Sequence, residues 1–279
     1  MTSSFAAAAA TYDAAALPQR QAATRLAAST LQCLRAAAAP DQPPALAWLL
    51  DLGCGTGLAS RAWLDLSAAQ QLAPPAELLL VDQAPAMVER ARHLLLPRHR
   101  SVRGLVLDAF ASDALAAVEE QLPRRGPGLL LSSYALQWHP DPLAVLTRCW
   151  APWLRSGDWL AVAVPDDRSF ALLRAALVAA ALPSHLLALP RTPDLIGAAA
   201  AQQLQPWFRC HGSGDFANGV PVASALDYLR HFALIGARPA RSPYSRGELV
   251  RLRRCLDQQL DAGRSELDYH STWMVLQRL

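Results

Sequence analysis

The chain has 279 residues, 52% of them hydrophobic and 18% charged, with 26 basic against 23 acidic side chains and a net charge of +3. That is enough apolar material for the core of one large domain, and too little net charge for a field that attracts nucleic acid. The five cysteines, at 33, 54, 149, 210 and 255, are scattered and odd in number. Without the paired spacing of a zinc site or a disulfide framework they imply no metal and a reducing cytoplasm.

The alanine run after Phe5 follows no positive residue and is interrupted by Tyr12, Asp13 and Pro18, so it reads as a helical leader over roughly residues 5–36 and not as a signal peptide. The Pro-rich connector 40–44 leads to a first strand near 46–52. Strand and helix signals then alternate. Strands are expected near 77–82, 102–107, 128–133 and 158–164, with helices near 58–70, 86–96, 112–121 and 142–153. Such alternation implies an α/β, Rossmann-like fold whose mostly parallel sheet is covered on both faces.

Past Pro165 the pattern changes. Residues 169–205 hold two helix-like stretches separated by Pro183, Pro190 and Pro193, an insertion expected to roof a site. Residues 207–220 return to the sheet, 223–235 read as helical, and Leu249, Leu252, Leu256 and Leu260 mark the buried stripe of another helix. A last strand over 267–276 brings the sheet to seven. The chain is therefore expected to form a single domain of four parts: leader and connector (1–44), ligand-binding core (45–165), helical insertion (166–208) and C-terminal completion of the sheet (209–279). Arg174 breaks the best apolar stretch, so no membrane span is expected.

The most specific chemistry lies in Trp48-Leu-Leu-Asp-Leu-Gly-Cys-Gly-Thr-Gly57, a strand followed by glycines 53, 55 and 57. Side-chain-free positions let the backbone turn and approach a bulky ligand. Asp51 at the mouth would repel a pyrophosphate but attract the ammonium and sulfonium of S-adenosylmethionine. Cys54 lies within this loop as a small filler. On the next strand Asp82 is placed to accept both ribose hydroxyls, with Gln83 and Met87 beside it. After the third strand Asp108 can receive an adenine amino group, with Ala109 and Phe110 covering the ring. Ser132 ends the fourth strand at the same edge. Taken singly, Asp51 could cap a turn and Asp82 could cap the helix opened by Pro85; together they favour a cationic nucleoside. Alternate glycines and Asp51 weigh against a nicotinamide cofactor.

These motifs resemble class I S-adenosylmethionine-dependent methyltransferases over almost the whole chain. A narrower resemblance is to the malonyl-[acyl-carrier protein] O-methyltransferases of biotin synthesis. It is carried by Phe5, Ala10-Thr-Tyr-Asp13, Leu17-Pro-Gln-Arg-Gln21, Ser132-Ser-Tyr-Ala-Leu-Gln-Trp138, Ala225 to Ala237, Ser245-Arg-Gly-Glu-Leu249 and Leu267-Asp-Tyr-His270. Residues 166–208, and Ser133 and Tyr134 within the fourth-strand match, depart from that family's pattern.

The resemblance implies methylation of the free carboxylate of a malonyl thioester on acyl-carrier protein. A carboxylate with a pKa of about 4 is already ionised at neutrality, so no acid or base is assigned. Tyr12, Tyr134, Gln137 and Trp138 are the substrate-pocket candidates, and an arginine is expected to hold the carboxylate. Acyl-carrier protein is acidic, and residues 238–254 hold six arginines against Glu248, which makes Arg238, Arg241, Arg246, Arg251 and Arg254 the docking candidates. A monomer is expected. The alternatives are methylation of another small molecule such as a quinone precursor, and a non-catalytic S-adenosylmethionine-binding protein.

Overall fold

The computed structural model describes residues 2–39, 44–111, 114–237, 242–261 and 266–279. In chain order the elements are α1 (Thr2–Ala15), α2 (Leu17–Ala37), β1 (Trp48–Leu52), α3 (Leu58–Ala69), β2 (Glu77–Asp82), α4 (Pro85–Leu95), β3 (Val102–Val106), α5 (Ala114–Gln121) and β4 (Gly128–Ser133). Next come α6 (Pro142–Ala144), a π-helical turn (Val145–Trp150), α7 (Ala151–Trp153), β5 (Trp159–Pro165), α8 (Ala171–Ala179), α9 (Thr192–Ile196) and α10 (Ala198–Leu204). The chain closes with β6 (Phe208–Ala217), β7 (Val220–Pro221), α11 (Ala225–Leu234), α12 (Arg246–Asp261), β8 (Glu266–Leu267) and β9 (His270–Arg278).

Seven strands form one sheet in the order β3-β2-β1-β4-β5-β9-β6, in which β9 pairs antiparallel with both β5 and β6 and the other pairs are parallel. The expected mostly parallel, Rossmann-like sheet is thus observed. β1 and β5 are buried at every residue, as unbroken apolar strands covered on both sides must be. Alternate side chains feed two cores. Leu50, Leu79, Leu130 and Val162 pack with Val118, Leu146 and Trp150 on one face. Leu49, Leu80, Leu129 and Ala161 pack with Leu26, Leu31 and Trp63 on the other. Among the described residues no helix is long and apolar enough to cross a membrane.

The leader is two helices where the sequence suggests one. Pro18 lacks the N–H that would continue the helix, and the break falls at the fully buried Ala16. α2 packs on α3 and the sheet, while α1 turns away to pack against α4 and α11. The segment after β5 also divides further than expected, into three helices. α8 joins α11, α12, β7 and β8 in a separate apolar body. α9 and α10 instead send Leu195 and Leu204 into the sheet's first core, so they cover the sheet and leave the roof to α8.

Candidate functional site

Chain order reverses between β1 and β4, which opens a crevice at the carboxyl ends of the parallel strands. The glycine loop lines it. Gly53 and Cys54 both donate backbone N–H to the Val81 carbonyl, at 2.8 and 2.9 Å, which fixes the loop against β2. Gly53 has φ +71°, and a Cβ there would lie 2.2 Å from that of Ala135. Gly55 has φ +52°, and a Cβ there would meet nothing within 4 Å because the position faces open pocket. Gly57 sits behind the loop, against Ala91 and Leu95, and does not line the pocket.

Three carboxylates surround the pocket. Asp51 is 1% exposed; its Oδ2 accepts from the Ser60 N–H at 3.2 Å and the Ser60 hydroxyl at 2.6 Å, while its buried Oδ1 has no partner. Burial pushes its pKa up to about 6, against the pull of Ser60. Asp82 accepts from the Gly55 N–H through Oδ2 and from the Ala84 N–H through Oδ1, each at 2.9 Å, leaving a lone pair on each oxygen. Burial raises its pKa also, and the two N–H groups oppose the rise. Asp108 lies two residues beyond the end of β3, accepting from the Phe110 N–H at 3.0 Å. Phe110 stacks on Trp150 at 6.5 Å and 19°. Gln83, Met87 and Ala109 line the same space, and among the described lining residues none is basic. Cys54 is buried with its thiol pushed well above the ordinary value, an inert wall residue.

Ser132 is not brought to the pocket. Its hydroxyl is buried and donates to the Leu52 carbonyl at 2.9 Å. Alternation along β4 turns Ser133 towards the ligand space instead. Tyr134 follows with φ +59°, a strained backbone for a bulky side chain. The turn is held by its N–H to the Ala163 carbonyl at 2.8 Å and by Gln137 Nε2 donating to the Tyr134 carbonyl at 2.7 Å. The Tyr134 hydroxyl bonds Ser271 at 2.6 Å and Asn218 at 2.9 Å, and burial raises its pKa to about 12.

The leader closes this space from above. Thr56 in the glycine loop donates to Asp13 at 2.6 Å, and Arg90 of α4 pairs with the same carboxylate at 2.8 Å. Phe5 meets Trp138 edge to face at 5.5 Å. Tyr12, its phenol raised by burial and then by Asp82 and Tyr134, stands between the pocket of about 200 Å³ and a chamber of about 860 Å³. Phe5, Gln19, Tyr134 and Trp138 also line both spaces; Gln137 faces the chamber alone.

The chamber's wall is apolar, from Phe170, Leu173 and Leu177 on the α8 side and Leu226, Leu229 and Phe232 on α11. Its charged lining residues, among those described, are Arg230 and Arg253, both exposed, and His185 lines it as well. Among the described residues no arginine lines the junction of the two spaces. What stands there is Gln19, missed from the sequence although it lies in the leader segment singled out above. It is 5% exposed, its Oε1 has no partner, and its amide bonds Tyr269. Arg246, Arg251 and Arg254 are exposed on α12; Arg238 and Arg241 lie outside the described residues. No cluster of metal-ligating side chains occurs among the described residues.

No family model matches the chain. It is 38% identical over 128 residues to trans-aconitate 2-methyltransferase of Methylobacterium radiotolerans, covering 46% of this chain and 41% of that one. It is 38% identical over 167 residues to the biotin biosynthesis bifunctional protein BioCD of Bordetella avium, covering 60% and 30%. With malonyl-[acyl-carrier protein] O-methyltransferase of Laribacter hongkongensis the identity is 39% over 145 residues, covering 51% and 43%. The matched segments thus span less than half the length of these relatives. The fold is shared with loganic acid methyltransferase, solved with SAH, at a TM-score of 0.56 and 14% identity, over 96% of this chain and 95% of that one.

Proposed function

We propose that this chain, a class I S-adenosylmethionine-dependent methyltransferase by its fold and its relatives, methylates a carboxylate, that of a malonyl thioester on acyl-carrier protein. The observation that carries the reading is the crevice itself: three carboxylates, no basic side chain among the described lining residues, and an adjoining, largely apolar chamber that shares Tyr12, Gln19, Tyr134 and Trp138 with it. A nucleotide phosphate is repelled there, and a nucleoside bearing positive charge is attracted.

The residues fit that cofactor. The unpartnered Asp51 Oδ1 is a buried acceptor for an ammonium group, and the space beside Gly55 admits a ligand against bare backbone. Asp82 has lone pairs for both ribose hydroxyls, while Asp108, Ala109 and Phe110 wall the adenine end. When bound, S-adenosylmethionine supplies a methyl group made electrophilic by its sulfonium. A carboxylate acceptor would already be ionised near neutrality, so this chain would need to supply neither acid nor base. This chain's share is therefore to orient the carboxylate and exclude water. Tyr12, Gln19 and Trp138 line the junction with groups able to donate hydrogen bonds, and Phe5 and Trp138 close over it.

Relatives named for trans-aconitate and for malonyl carrier protein both point to carboxylic acids. Trans-aconitate would place two further carboxylates in a chamber whose described cations, Arg230 and Arg253, lie at solvent, so an acceptor with a single carboxylate fits better. Exposed Arg246, Arg251 and Arg254, with Arg230 and Arg253, offer an acidic carrier protein a cationic face. Incubation with methyl-labelled cofactor and malonyl-carrier protein, followed by mass analysis, should find one methyl on the acyl carboxyl. Absence of label there, with turnover of trans-aconitate, would reject the assignment.

A further inference from the structure

Among the described residues lining the pocket beside the glycine loop, two carry a buried polar atom without a partner, Asp51 Oδ1 and Gln19 Oε1. Gln19 is 5% exposed and stands in the first turn of α2, just past the leader break. Which end of its amide is left free is settled by a chain of hydrogen bonds that starts at that break. Burial keeps the His231 imidazole neutral, so one ring nitrogen carries a hydrogen and the other accepts one. Its contact with the backbone of Ala15 favours the protonated ring, which makes it a donation to the Ala15 carbonyl. Nε2, 2.9 Å from the Tyr269 hydroxyl, is then the acceptor, and the Tyr269 hydrogen is committed to it. The Tyr269 oxygen can only accept, and Gln19 supplies it with an amide N–H. Gln19 Nε2 is thereby tied to Tyr269, and Oε1 is the end left over.

A buried acceptor without a donor is costly, so a ligand that fits this pocket brings one. S-adenosylmethionine carries donors at three places. Its ribose hydroxyls and adenine amino group fall to Asp82 and Asp108, and only the ammonium, with N–H groups to share, remains for Asp51 Oδ1 and Gln19 Oε1. We propose that Gln19 is a cofactor-positioning residue whose carbonyl oxygen, together with Asp51, accepts from the α-ammonium of S-adenosylmethionine, and that Ala15, His231 and Tyr269 hold the amide in that sense. The second hydrogen on Nε2 stays available to the methyl acceptor. This rests on the cofactor reading of the pocket and is separable from it.

Calorimetry on the full chain with three ligands tests the assignment: S-adenosylhomocysteine, its deamino analogue, which keeps the carboxylate, and 5′-methylthioadenosine, which lacks the whole amino-acid tail. Gln19→Leu is expected to weaken S-adenosylhomocysteine about tenfold, as loss of a hydrogen bond to a charged group does, and to change the other two by less than about twofold. Tyr269→Phe, which frees the amide to turn, is expected to weaken S-adenosylhomocysteine about threefold with the same selectivity. It replaces Gln19→Leu if that variant shows no cooperative melting transition. A loss that the deamino analogue shares, or no loss with S-adenosylhomocysteine, overturns the inference while leaving the cofactor and carboxyl methylation standing. An unaltered chain that binds none of the three ligands rejects the cofactor reading and the inference with it.

Discussion

In the pocket beside the glycine loop the backbone sets the shape: Gly53 and Gly55 turn with positive φ, and Val81, Ala84 and Gly55 lend main-chain atoms to fix the loop and Asp82. In the adjoining chamber, side chains of α8, α11 and α12 make the wall, and the charged groups among the described lining residues, Arg230 and Arg253, stand at solvent. A polar, nearly invariant cofactor calls for atoms held in place by hydrogen bonds. Apolar walls supply volume without fixed direction. The two regions therefore differ in how sharply they respond to change.

The largest effect separates them outright. Gly53→Ala puts a methyl group 2.2 Å from Ala135 Cβ at a φ of +71°. Cofactor affinity is expected to fall at least 100-fold by calorimetry, a loss of ~3 kcal/mol from backbone strain and displacement of the loop. Binding of an apolar dye in the chamber should persist; its loss together with the cofactor would show that the two regions are one unit.

A smaller effect tests the charge of the pocket alone. Asp51 is held with a pKa raised to about 6, so its neutral form is the one the fold favours. That contribution is fully present below the unfolded carboxylate's value and is lost as pH rises through about 6. Binding of a cationic donor runs the other way, tightening from pH 5 to 7 as the carboxylate ionises. Asp51→Asn should flatten this rise and weaken binding about tenfold at pH 7. An unaltered pH profile would mean that Oδ1 does not meet the donor's charge.

The smallest effect concerns the leader that spans both regions. His231 on α11 bonds the Tyr269 hydroxyl at 2.9 Å and the backbone of Ala15 beside the helix break, and burial lowers its pKa to about 4. Its share of stability is present above the unfolded value of 6.5 and is lost as pH falls towards 4. Between pH 7 and 5 the Tm should drop by about 2–4 °C for each kcal/mol, with proteolysis growing at residues 15–17. His231→Gln should remove the slope, and a slope that survives would place the titration elsewhere.

The sheet and the glycine loop were legible because their signals are local. An apolar strand ending in Asp51 or Asp82 and followed by a glycine or proline turn says where the strand stops and which edge faces ligand. Ser132 shows where that resolution ends. A single residue decides which face of β4 a side chain takes, and only the pairing of β4 with β1 puts Ser133 in the pocket while Ser132 bonds Leu52. Gln19 was hidden for another reason: its burial follows from the break at Ala16 and from Tyr269, which is 250 residues away in sequence.

The sequence by itself determined the alternation of strands and helices from β1 to β5 and the positions of the three carboxylates at the strand ends, since each depends on neighbours along the chain. Only the tertiary structure decided that the leader breaks at Ala16, that α8, α11 and α12 wall a chamber, that α9 and α10 leave the roof for the sheet, and that Gln19 and Tyr12 are the polar groups that meet at the junction among the described residues. Those outcomes depend on which apolar faces meet. Hydrophobic burial has magnitude but no direction, so contacts between distant segments are settled only when the whole core closes.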